Sequence, residues 1–121
     1  MRLFAGLLLL LIPVAASAED GERLFTACRA CHSLDGAERG MPGPNLAGLI
    51  GRQVGGDPSF DYSPALRKTR DDGLRWDAAR LDAFLADPAA MFPGLWMSMR
   101  GIEDAADRQA LVRFLTAPTS R

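Results

Sequence analysis

Two cysteines, Cys28 and Cys31, and a histidine directly after the second, His32, are the only residues of their types in the chain. Thiols three positions apart on one helical turn can each add to a vinyl group of the same porphyrin. An imidazole immediately following is then held beneath the iron. Only sulfur forms the thioether, and only imidazole offers a neutral nitrogen donor at that reach. The pattern C-x-x-C-H is accordingly the attachment site of a c-type haem. It makes Cys28 and Cys31 the covalent anchors of one haem and His32 its proximal ligand.

Other chemistries fit these residues less well. A thioredoxin-type pair should follow a β-strand in a βαβ pattern, whereas residues 21–27 (GERLFTA) read as helix. A structural zinc site needs four ligands, and two Cys with one His leave it one short. A plain disulfide gives no reason for the adjacent histidine.

The elements that must position these groups begin with an export signal. Arg2 supplies a positive start, Leu3 to Ile12 an apolar run and Ala16-Ser17-Ala18 a small-residue cleavage site. The run is too short for a stable membrane span, so residues 1–18 are expected to be removed after Ala18. Residues 19–121 then form one small domain in the periplasm. Cleavage removes one of the 14 basic residues, against 15 acidic ones. No basic stripe or nucleic-acid motif is present, and nucleic-acid binding is not expected.

Four helical segments are expected, from Asp20 to about His32, Pro64 to about Thr69, Asp77 to Asp87 and Glu103 to Ala117. Asp77 is a good N-cap and Pro88 a stop, while Ser63-Pro64 has the cap-then-proline order of a helix start. Leu81, Phe84 and Leu85, and again Leu111, Phe114 and Leu115, give one apolar face each. Gly- and Pro-rich loops separate these segments, and no run alternates long enough for a sheet. The reading is all-α, about four short helices with long loops, and such loops are tolerable when they wrap a cofactor.

A second axial ligand must come from a residue other than histidine. Methionine's thioether is neutral, soft and a good donor to reduced iron. Outside the leader the chain has Met41, Met91, Met97 and Met99. Here the sequence resembles the class I cytochromes c of the mitochondrial and short bacterial type over residues 21–115. The matching elements are Gly21 and Phe25, the haem motif, Gly43-Pro44-Asn45-Leu46, Gly51-Arg52, Phe60-Asp61-Tyr62-Ser63 and Trp76. Pro93-Gly94-Leu95-Trp96-Met97, Gly101-Ile102 and Leu111 to Leu115 complete the match. The resemblance implies the cytochrome c fold around one covalent haem, with Met97 as distal ligand and Met99 as its rival. It implies that the Pro44 carbonyl accepts the imidazole Nδ1–H, and that Arg52, Tyr62 and Trp76 serve the haem propionates, with Ser63 as a further hydroxyl. Gly21, Phe25, Phe114 and Leu115 would form the contact between first and last helices.

The chain also departs from the family pattern. Phe84 stands for a tyrosine that reaches toward the methionine sulfur, Leu95 for a threonine, and Leu66 for an asparagine near the haem edge. Lys68 is the only lysine, and Ala89, Ala90 and Trp96 occupy positions that carry lysines in mitochondrial members. Docking is therefore expected through a mainly apolar patch that includes Trp96. The resemblance implies a monomeric carrier of single electrons, not an enzyme, without stable membrane insertion after cleavage. Its partners would be redox proteins: a quinol-oxidising complex, an oxidase, a reductase or a dehydrogenase. The alternatives are an open-site haem protein with peroxidase or small-ligand-binding activity, and a dedicated electron-accepting subunit of one periplasmic dehydrogenase.

Overall fold

The computed structural model describes residue 10 and residues 18–117. The expected leader thus falls outside the described residues, apart from positions 10 and 18. The helices are α1 (Ala18–Phe25), α2 (Pro64–Asp71), α3 (Ala78–Ala86), α4 (Pro88–Met91) and α5 (Ala105–Thr116), with a 3-10 turn at Thr26–Cys28 after α1. No strand forms among the described residues. Segments 51–54 and 74–76 nevertheless run antiparallel, with a single bridge between Gln53 and Arg75. Backbone bonds from Gly51 to the Trp76 carbonyl, Trp76 to that of Arg52 and Val54 to that of Leu74 hold them together.

Helix starts follow their caps. The side chains of Ser63, Asp77, Asp87 and Asp104 accept from Leu66, Arg80, Ala90 and Asp107 backbone N–H groups, satisfying donors with no intrahelical partner. Ser63 is buried, and its oxygen is engaged as the α2 cap.

Two expectations need correction. The first helix ends as an α-helix at Phe25 and tightens into the 3-10 turn, so it does not run on to His32. Pro88 ends α3 but also opens α4, because Asp87 caps the new turn and a proline at the first helical position loses no hydrogen bond. A fifth short helix therefore lies in what reads as loop.

The core is the seam between α1 and α5, extended by α3. Phe25, fully buried, meets Phe114 with ring centroids 5.6 Å apart. Leu34, Leu49, Leu81, Leu85, Leu111 and Leu115 pack around them. At Gly21 an added Cβ would lie 2.4 Å from the Ala110 carbonyl oxygen and 2.6 Å from Phe114 Cβ, so the helices cross where α1 has no side chain. Arg108 closes the far side. It donates to Asp82 of α3 at 3.1 Å and to the carbonyls of Ile102 and Glu103.

Candidate haem site

The motif turn is local. Backbone N–H groups of Cys31 and His32 both donate to the Cys28 carbonyl, at 3.1 and 2.9 Å, which sets both thiols and the imidazole on one turn. Neither cysteine is in a disulfide. Among the described residues no three His, Cys, Asp or Glu side chains converge on a metal position. Cys28 is half-buried against the core, and burial, reinforced by Cys31, raises its thiol pKa and keeps it protonated. Arg29, between the cysteines, turns back to lie 5.0 Å over the Phe25 ring.

His32 is oriented by a loop distant in sequence. Its Nδ1 lies 2.8 Å from the Pro44 carbonyl oxygen. A carbonyl can only accept, so Nδ1 carries the proton and Nε2 is the bare donor nitrogen. Nε2 makes no hydrogen bond among the described residues. Gly43 allows this approach: a Cβ there would lie 2.6 Å from His32 Cε1 and 2.9 Å from Nδ1. Its N–H donates to the Cys31 carbonyl at 2.8 Å. Sequence reading gave Gly43 no role of its own, although its place beside Pro44 in the motif was the available signal.

Arg52 and Trp76 come together through the paired 51–54 and 74–76 segments. The Arg52 guanidinium donates to the Asn45 carbonyl at 2.6 Å and that of Ala47 at 3.3 Å. Its Nε is buried with no partner. A buried guanidinium N–H without an acceptor costs desolvation energy, and a propionate oxygen is the acceptor its chemistry suits. Tyr62 is 5% exposed. Its hydroxyl oxygen accepts from the Asp57 N–H at 3.1 Å, leaving its own proton to donate. Burial raises the phenol's pKa, so it remains a donor. Trp76 packs edge-on against Phe84 and Phe92, at 5.2 and 6.3 Å between centroids. Phe84 therefore belongs to an aromatic cluster with Trp76, an arrangement its position on α3 did not disclose.

Asp57 is a residue that sequence reading missed. Its carboxylate accepts from the N–H and hydroxyl of Ser59, at 2.9 and 2.7 Å, and from the Asn45 N–H at 3.3 Å. Burial alone would raise its pKa. The Ser59 and Asn45 hydrogen bonds and the charge of Arg52 outweigh that and hold it below the ordinary carboxylate value.

Met97 stands apart, on the loop between α4 and α5. That loop turns through Gly94 in the left-handed region, φ +85°, with Leu95 N–H bonded to the Phe92 carbonyl. Its far end is pressed onto α3, where Ile102 N–H donates to the Leu85 carbonyl at 2.8 Å. Met97 and Met99 are both partly buried, and of the two Met99 packs against the core cluster. Phe92 is turned inward and Trp96, beside Met97, is 59% exposed. Met41 lines a small cavity with Pro44, Asn45 and Phe60.

The free thiols, the bare Nε2 and the unpaired Arg52 Nε together fit one haem. A sequence profile of the Cytochrome c family matches residues 18–117. The chain belongs to the cytochrome c family. It is 38% identical over 95 residues to cytochrome c2 of Agrobacterium tumefaciens, covering 78% of this chain and 86% of that protein. Cytochrome c of Stellaria longipes is 36% identical over 103 residues, covering 84% and 93%. Among solved structures, cytochrome cH from Methylobacterium extorquens superposes with a TM-score of 0.72 at 36% identity, covering 83% of this chain and 97% of that one. The chain is thus an electron-transfer cytochrome c with one covalent haem c at Cys28-x-x-Cys31-His32. Its fold is the helical, loop-rich cytochrome c fold.

Proposed function

We propose that this cytochrome c is a one-electron carrier of the periplasm, exported by a leader cleaved after Ala18 and acting as a monomeric domain of residues 19–121. In this reading His32 and Met97 are the axial ligands, and Cys28 and Cys31 hold the porphyrin by thioethers. The haem supplies a ferrous/ferric couple, and the chain's own residues set its potential and exclude water. Pro44 fixes the imidazole tautomer. Arg52 meets a propionate with its Nε–H, while Tyr62 offers its hydroxyl proton and Trp76 its indole N–H. Met97 is favoured over Met99 because the latter is already engaged with the core.

The observation that carries the reading is the 2.8 Å contact between His32 Nδ1 and the Pro44 carbonyl. It leaves Nε2 as the only basic ring nitrogen, on the residue directly after Cys31 and four after Cys28. Two ligands of unchanged identity favour low reorganisation and transfer through the haem edge, with no substrate transformed. Partners would be redox proteins that meet an apolar surface at the exposed Trp96. Their electron-transfer rates should accordingly fall little with added salt. No helix among the described residues is long and apolar enough to cross a membrane.

The test is the absorption spectrum of periplasm-matured protein, ferric then ferrous. A low-spin spectrum with the far-red methionine-to-ferric-iron band, indifferent to carbon monoxide, is expected. A high-spin ferric form or prompt carbon monoxide binding would overturn this ligation and favour an open iron with peroxidase or ligand-binding chemistry.

A further inference from the structure

The peptide unit between Pro44 and Asn45 is engaged at both ends. Its carbonyl oxygen accepts the Nδ1–H of His32 at 2.8 Å, and its N–H donates to Oδ2 of Asp57 at 3.3 Å. An amide is polarisable along that axis, and linked hydrogen bonds strengthen one another in a low-dielectric interior. A carboxylate on the N–H side shifts electron density toward the carbonyl oxygen. The oxygen then pulls harder on the Nδ1 proton, giving the ring more imidazolate character and its other nitrogen greater donor strength.

We propose that Asp57 is a positioning residue that tunes the basicity of His32 through the Pro44–Asn45 peptide, lowering the reduction potential of the iron it binds. This rests on the ligation by His32 described above.

The carboxylate is held for the task. Ser59 occupies Oδ1 with both its N–H and its hydroxyl, leaving Oδ2 for the Asn45 N–H. The Asp57 N–H is fixed in turn on the Tyr62 hydroxyl. The peptide is clamped on its C-terminal side as well, because Arg52 donates to the Asn45 carbonyl. The relay spans one peptide between two loops that are distant in sequence, so it ties Asp57 to the proximal ligand through backbone alone. The charged and titratable groups that act on Asp57 are Arg52 and Tyr62, and Glu38 and Arg39 line the small cavity that Asp57 also lines.

Two variants of the holoprotein separate this relay from simpler roles. Asp57→Asn keeps the shape and an acceptor oxygen for Ser59 but removes the charge, and Asp57→Glu returns the charge on a longer arm. In the diamagnetic ferrous state, Asp57→Asn should move the His32 Nδ1–H proton resonance upfield, shift its nitrogen resonance, and raise the reduction potential. Asp57→Glu should recover part of both. In the unaltered protein the same Nδ1–H resonance should titrate together with the Asp57 carboxyl carbon on acidification, a measurement that needs no variant to fold. An unmoved Nδ1–H resonance overturns the proposal. That holds even where the potential rises, since a potential shift alone reports the through-space field of one lost charge. Absence of the low-spin His/Met spectrum in the unaltered protein would instead strike at the ligation itself.

Discussion

Gly101 sits where the Met97 loop rejoins the body, and Gly101→Ala is expected to loosen that loop. An added Cβ would lie 1.9 Å from the Ala86 carbonyl oxygen, 2.7 Å from its carbon and 3.3 Å from the Asp87 nitrogen. All three are backbone atoms at the end of α3, so no flexible side chain can swing away. Gly101 is not in the left-handed region, which makes the cost steric rather than conformational. Ordinary contact requires the two segments to part by roughly 1.5 Å. That breaks the Ile102 N–H bond to the Leu85 carbonyl, now 2.8 Å. Overpacking costs ~1–3 kcal/mol and the lost bond ~0.5–1.5 kcal/mol, together ~1.5–4.5 kcal/mol. In a domain of this size each kcal/mol lowers Tm by about 4–8 °C, so a fall on the order of 10 °C or more is expected. The assay is thermal unfolding followed in the Soret region, with the far-red methionine band recorded at each temperature. The band should fade well before global unfolding. Gly36→Ala, whose Cβ would meet only the Ala47 methyl at 3.6 Å, should change neither. A Gly101→Ala protein with unaltered Tm and an intact band would refute the reasoning.

Met97→Ala should abolish the low-spin spectrum while Met99→Leu preserves it, and the reverse pattern would move the distal ligand to Met99. Arg108→Ala leaves the Ile102 and Glu103 carbonyls without their donor and should cost ~1–3 kcal/mol in chemical denaturation. Tyr62→Phe removes the acceptor of the Asp57 N–H; a loss of ~1–2 kcal/mol is expected, together with a changed potential. Because the Asp57 carboxyl is held below its ordinary value, the stability it contributes is complete above the ordinary carboxylate range. It is lost as pH falls through the lowered folded-state value. Asp57→Asn should therefore flatten the acid limb of the stability curve, and an unchanged limb would contradict this.

What could be read without coordinates was local chemistry. The covalent haem at the C-x-x-C-H motif follows from the spacing of Cys28, Cys31 and His32 on one turn. The starts of α2 and α3 follow from Ser63-Pro64 and Asp77, because a cap acts within its own first turn. The α1–α5 seam was legible from the 3.6-residue spacing of Leu111, Phe114 and Leu115 and from the resemblance at Gly21 and Phe25. Only the tertiary structure decided which loops meet. The bond from the Asn45 N–H to Asp57, the pairing of segments 51–54 and 74–76 that sets Arg52 beside Trp76, and the approach of Gly101 to Ala86 all join residues far apart along the chain. A loop's path depends on the whole core it crosses, and neither propensity nor periodicity carries that information. The same reason explains why Asp57 was missed: alone it is an Asx turn with Ser59, and only the fold brings the Pro44–Asn45 peptide to its second oxygen.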